Sequence, residues 1–259
     1  MSSVKAAPFA PAELASRLAQ RATAAGFRVE TYGEAAGCAL LALTRRTPGP
    51  RPRIYLSAGI HGDEPAPPLA LLELLEAGAF DRRADWLICP LLNPAGFLRS
   101  TRENAEGVDL NRDYRNTRSR EIAAHIQWLR RQPNFDLNLC LHEDWEAAGF
   151  YLYELNAGRR PSLAERIVAA VGVDFPIDRS ELIDGRPAKD GILRPDPDPA
   201  GRELWPESIY LRVHHTRFGC TLETPSGLPL RRRIAAMRTA VTTALDLVLS
   251  PDSQPTKFG

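Results

Sequence analysis

No two cysteines stand close enough to form a C-x-x-C pair; Cys38, Cys89, Cys140 and Cys220 are scattered singly through the 259 residues. That spacing argues against a disulfide framework and against a cysteine-built structural zinc site. Three of the four sit inside apolar strand-like runs, so they are expected to be buried small residues. Long hydrophobic runs are missing as well. The opening MSSVKAAPFAPAEL lacks the apolar run of about 7 to 15 residues of a secretory signal, and no later segment nears the roughly 18 of a membrane span. The expectation is a cytoplasmic protein with no membrane partner. Charge of one sign is not in excess, the formal net charge being +1. A nucleic-acid partner, which needs a basic face, is therefore not expected. Arginine clusters do occur at 51–53 and 231–233, and the second, in a helix-like stretch, reads as a solvated face. No internal repeat is visible, and nothing marks an oligomeric state.

What is present is an ordinary globular composition, 44% hydrophobic and 25% charged, in a chain long for one domain and short for two. One domain spanning 1–259 is expected. Short apolar runs alternate with longer helix-periodic stretches, the pattern of a largely parallel sheet with crossover helices. Strands are expected at 39–44, 53–60, 86–92, 135–141, 149–154, 209–213 and 218–223. Helices are expected at 11–25, 67–77, 119–131, 162–171 and 230–249. Ile122, Ile126 and Leu129 recur at helical spacing behind Ser119, a suitable N-cap. Two stretches break the rhythm. Residues 93–118 are polar and aperiodic, a long loop of the kind that carries function. Residues 184–207 hold five prolines and three glycines, and are either a surface excursion or a lid over the site.

The chemistry-bearing residues gather at strand ends. The run IYLSAGIHGDEPAP closes a strand and delivers His61 and Glu64 before a helix begins. An imidazole and a carboxylate three residues apart in a turn can share one zinc ion, although a hydrogen-bonded loop histidine looks the same in isolation. The strand FDLNLCL also ends on a histidine, His142. A third protein ligand with one open position is what a catalytic zinc requires. The strand FGCTLE ends on Glu223, placed to act as a general base beside the metal without binding it. Between these, GVDLNRDY sets Asn111 beside Arg112, a pair able to grip a carboxylate, and Arg102 could face a forming oxyanion. Solvated loop arginines are the alternative. His214 and His215 are a rival ligand pair, but neighbours on a strand point to opposite faces, so only one could join a site. His125 reads as a partly buried helix histidine.

Taken in order, HGDE at 61–64, NPAGF at 93–97, TRENAEGVDLNRDY at 101–114, His142 at a strand end and TLETP at 221–225 resemble the M14 zinc metallocarboxypeptidases. That family includes murein peptide amidases and the related succinylglutamate desuccinylases and aspartoacylases. The resemblance covers residues 50 to 230. It implies an α/β fold, a three-layer α/β/α sandwich with a mixed, largely parallel central sheet, and one Zn2+ held by His61, Glu64 and His142. It further implies Glu223 as general base, Arg102 polarising the scissile carbonyl, and Asn111 and Arg112 holding the substrate's carboxylate. Tyr210 is the nearest candidate for the tyrosine that larger members carry in a mobile loop against the substrate. Glu143, Asp144, Trp145 and Tyr153 are candidates for lining the pocket. The implied activity is hydrolysis of an amide bond in a short peptide by zinc-activated water. An N-acyl amino acid deacylase and a non-catalytic protein that retains the metal are the alternatives.

Overall fold

In the computed structural model, residues 10–158, 160–195 and 202–250 are described. Three of the sheet's central strands are buried nearly end to end, as expected where helices cover both faces. They are β3 (Arg53–Ala58), β5 (Leu137–Asp144) and β10 (Phe218–Pro225). With β1 (Arg28–Ala35), β2 (Cys38–Arg45), β4 (Asp85–Cys89), β6 (Tyr151–Asn156) and β9 (Ile192–Leu193) they form one sheet in the order β1-β2-β4-β3-β5-β10-β6-β9. The run β4-β3-β5-β10 is parallel; β1–β2, β2–β4 and β10–β6 pair antiparallel, and β9 lies parallel to β6 at the far edge. A hairpin of β7 (Leu182–Ile183) and β8 (Arg186–Pro187) stands outside this sheet.

Alternation along the strands sorts side chains into two cores. Ile54, Leu56, Trp86, Ile88, Leu137, Leu139 and Leu222 face one side. They pack under α1 (Pro11–Ala24), α2 (Ala66–Glu76), α5 (Ala164–Val171) and α7 (Leu230–Leu249). Tyr55, Leu87, Cys89 and Cys140 face the other side, under α4 (Arg120–Leu129) and α6 (Glu207–His214). The expected three layers are therefore present. All four cysteines are buried and free. Ser119 accepts the Ile122 N–H at the start of α4, as its position suggested. No helix among the described residues is long and apolar enough to cross a membrane.

Several expectations need correcting. Residues 209–213, read as a strand for their β-branched and aromatic content, lie within helix α6, which turns Ile209, Tyr210 and Leu211 inward and leaves Val213 exposed. Tertiary burial overrides strand propensity here. The 93–118 loop holds the short helix α3 (Pro94–Arg99) and a 3-10 turn at Leu110–Arg112. In the 231–233 cluster, Arg233 is buried against the Glu143 carboxylate rather than solvated. Of the 184–207 stretch, residues 196–201 lie outside the described residues.

Candidate active site

The three parallel strands β3, β5 and β10 lie side by side, and the functional residues sit at their carboxyl ends, where α/β sheets place ligand sites. Beyond β3 the chain turns through Gly59 and Ile60 to His61. The next residue, Gly62, presses against α3: a Cβ there would lie 1.8 Å from the Gly96 carbonyl carbon. Asn93, fully buried, fastens this turn. It caps α3 by accepting the Gly96 N–H at 2.8 Å, and its amide donates to the Ile60 carbonyl at 3.2 Å and the Arg102 carbonyl at 3.3 Å. The NPAGF segment therefore sets both the His61 turn and the Arg102 loop. On β10, Glu223 is the direct register partner of His142 on β5.

His61, Glu64 and His142 converge, with one ligand atom from each lying within 4.8 Å of the others. Both imidazoles turn Nδ1 to the Glu64 carboxylate, at 2.5 Å for His61 and 3.1 Å for His142. Burial alone would raise Glu64, but the two imidazoles outweigh it and bring its pKa down to about 2. For His61, burial works against the charged form, yet Glu64 and Asp109 carry the pKa up to about 9. This buried pocket draws positive charge, and its two nitrogens and carboxylate are a donor set suited to a divalent zinc-like ion.

Asp109 was not singled out from the sequence. Its Oδ1 lies 3.3 Å from His61 Nε2 and accepts the Asn111 N–H at 2.9 Å, while Oδ2 accepts from Arg102 Nε at 3.0 Å. A carboxylate behind a ligating imidazole fixes its orientation and raises its basicity. The same residue sets Arg102, whose Nη1 stands 3.8 Å from Glu64. Its signal was its place two residues before Asn111 in GVDLNRDY. Glu143 is among the residues lining the cavity beside this cluster, but its carboxylate is already engaged. Its carboxylate caps α2 through the Ala66 N–H and pairs with Arg233, and burial pushes its pKa up to about 7 against the pull of that arginine.

A cavity of about 570 Å³ opens beside the cluster, lined by His61, Glu64, His142, Arg102, Asn111, Arg112, Asp144, Trp145, Tyr151, Tyr153, Asp184 and Glu223 among others. Glu223 is nine-tenths buried and has no hydrogen bond or ion pair among the described residues. Burial, then repulsion from Glu64 and Asp144, pushes its pKa well up, with Arg102 opposing. A carboxylate so placed is a stronger proton acceptor than one in water. Tyr210 does not reach this cavity. It is buried in α6 against Tyr114 and His214, with ring centroids 5.5 and 4.5 Å away. The aromatics that line the cavity are Trp145 and, on β6, Tyr151 and Tyr153. His214 and His215 end α6 and do not line it, the His215 ring stacking on Phe135 at 5.0 Å. His125 is fully buried in α4.

The sheet order and the clustered imidazoles and carboxylate define a metallohydrolase of the carboxypeptidase-like α/β class. The chain belongs to the succinylglutamate desuccinylase/aspartoacylase catalytic domain family, whose model matches residues 50–248. A candidate metallopeptidase of Shewanella amazonensis superposes with a TM-score of 0.78 at 26% identity, covering 90% of this chain and 91% of that one. A second, from Shewanella baltica, gives 0.75 at 28% identity with coverages of 90% and 91%. A metallo-carboxypeptidase of Burkholderia cenocepacia, at 19% identity and a TM-score of 0.67, shares the fold over 90% of this chain and 68% of its own. No curated protein matches the chain.

Proposed function

We propose that this chain is a zinc-dependent metallocarboxypeptidase or peptide amidase that hydrolyses an amide bond in a short peptide with a free carboxylate. The observation that carries the reading is the placement of Glu223, nine-tenths buried and without a hydrogen bond or ion pair among the described residues, in the same cavity as the His61, Glu64 and His142 cluster. A zinc ion held by those three residues supplies Lewis acidity, polarising a carbonyl and making water a better nucleophile. The remaining roles fall to side chains. The Glu223 carboxylate takes the proton of the attacking water and returns it to the leaving nitrogen. The Arg102 guanidinium, held by Asp109, faces the developing oxyanion. Asn111 and Arg112 hold the substrate's carboxylate.

The candidate metallopeptidases at 26 and 28% identity support the peptide reading. The family model, named for a desuccinylase and an aspartoacylase, favours N-acyl amino acids instead. Zinc-loaded protein incubated with di- and tripeptides beside N-acetyl and N-succinyl amino acids separates the two: turnover confined to the acyl amino acids establishes the deacylase. The third alternative, a non-catalytic protein that retains the metal, predicts no turnover of either class. Replacing Glu223→Gln is expected to leave zinc content unchanged and cut turnover by about 10²-fold or more. Undiminished turnover removes Glu223 from the reaction.

A further inference from the structure

Beyond Glu223 the cavity ends in a polar wall built on β6. Tyr151 and Tyr153, two residues apart, project from the same side of the strand, their ring centroids 5.8 Å apart in an edge arrangement. Each hydroxyl donates to a carboxylate. Tyr151 bonds Asp144 Oδ2 at 2.9 Å, and Tyr153 bonds Asp184 Oδ2 at 2.8 Å. Asp144 comes from the end of β5, whereas Asp184 comes from the β7–β8 turn, more than 30 residues on in the sequence. The tyrosine pair thus holds two carboxylates at one end of the cavity.

Those carboxylates lack a cation. Neither Asp144 nor Asp184 makes an ion pair with a described residue, and Glu223 beside them has no hydrogen bond or ion pair among the described residues. Two guanidiniums act here, Arg186 of β8 on Tyr153 and Arg102 on Glu223, so three carboxylates face two arginines. Arg102 is already engaged by Asp109 at 3.0 Å. With Glu223 buried, Asp144 half-buried and Asp184 exposed, this set of acidic groups attracts a cation, and tyrosine ring faces add to that attraction. An acidic side chain would meet like charge in the same place.

We propose that Asp144, Asp184 and the Tyr151–Tyr153 pair form a subsite for a positively charged group of the substrate, a primary amine or a guanidine. The substrate then carries a carboxylate at the Arg112 end and a cation at the β6 end. This deepens the amide-hydrolase reading and rests on it for the bond broken, but not for the binding preference.

Two measurements keep these apart. The first is kcat/KM of the zinc-loaded protein on Ala-Lys, Ala-norleucine and Ala-Glu and, in reverse order, on Lys-Ala, norleucine-Ala and Glu-Ala. The second, independent of turnover, is the thermal shift produced by lysine, norleucine and glutamate at equal concentration. The lysine compound is expected to exceed its norleucine partner by about tenfold or more in kcat/KM, and lysine to give the largest shift. In an Asp144→Asn/Asp184→Asn double variant that ratio is expected to fall to within about threefold of unity. Asparagine retains an acceptor for each tyrosine and tolerates the positive φ of 51° at position 184, so folding is not at issue. A flat ranking, a preference for glutamate, or a lysine preference that survives in the double variant overturns the proposal. Absence of turnover on every peptide counts against the peptidase reading, and the order of thermal shifts still decides the charge of the subsite.

Discussion

The side-chain oxygen of Asn111 accepts the backbone N–H of Glu207 at 2.9 Å. Only the oxygen of an amide can accept, so its nitrogen is left as a donor in the cavity that Asn111 lines. Glu207 is itself anchored, its two carboxylate oxygens each accepting at 2.7 Å, from the Tyr55 and Ser57 hydroxyls of β3. The Asn111 amide, proposed to hold the substrate's carboxylate, is thereby tied through the start of α6 to the strand that delivers His61.

Loss of that anchor should show in substrate binding before it shows in chemistry. Replacing Glu207→Ala strands two buried hydroxyls and frees the start of α6. We expect KM for carboxylate-bearing substrates to rise about tenfold with a smaller change in kcat, at a stability cost of about 1 to 3 kcal/mol. Steady-state kinetics beside a thermal melt test this. A fall in kcat at constant KM would contradict the proposed route through Asn111.

Asp109 should matter to metal affinity rather than to folding. Asp109→Asn keeps an acceptor for the Asn111 N–H but removes the negative charge behind His61 Nε2 and beside Arg102. The expected outcome is zinc affinity weakened about 10- to 100-fold, read by competition with a chromogenic chelator. Affinity equal to that of the unaltered protein would show that Asp109 serves Arg102 alone.

The turn holding His61 leaves no room for a side chain at position 62. A methyl group there would overlap the Gly96 carbonyl carbon at 1.8 Å and the Phe97 nitrogen at 2.1 Å, both backbone atoms that cannot swing aside. Gly62→Ala is therefore expected to cost about 3 kcal/mol or more and to abolish zinc retention. Gly227→Ala, where a Cβ meets nothing within 4 Å, is the matched control. Equal melting temperatures for the two variants would refute the steric account.

Local patterns made most of this architecture legible. Residues 119–131 and 230–249 carried helical periodicity, and the runs ending at His61, His142 and Glu223 read as buried strands because they are apolar on both faces. The metal-type cluster followed from those three strand ends. What escaped was what distance assembles. Asp184 reaches Tyr153 across 31 residues and Glu207 reaches Tyr55 across 152, contacts that no spacing rule encodes. Tyr210 was misplaced because a short β-branched and aromatic run reads alike as strand or buried helix. Asn93 and Asp109 lay inside recognised motifs, yet their roles depend on which backbone groups the fold brings to their amide and carboxylate.

Acid should expose the other end of the Glu207 network. The Tyr55 hydroxyl spends its proton on Glu207, so towards His125, 3.0 Å away, it can only accept, and His125 must carry its proton on Nε2. Nδ1 is then bare and accepts from the Tyr114 hydroxyl at 2.7 Å. A second proton has no acceptor, and burial, reinforced by His215, lowers the His125 pKa to about 3. Above the unfolded value of about 6.5, both states are neutral and His125 contributes no pH dependence. As pH falls from there towards 3, the unfolded chain takes up a proton that the folded chain refuses, so stability declines by about 1.4 kcal/mol per pH unit and levels off below about 3. His125→Gln removes the titrating group. It is expected to be less stable near neutrality, with urea midpoints that fall less steeply between pH 6 and 4 than those of the unaltered protein. Parallel midpoint curves over that range would assign the acid sensitivity to another group.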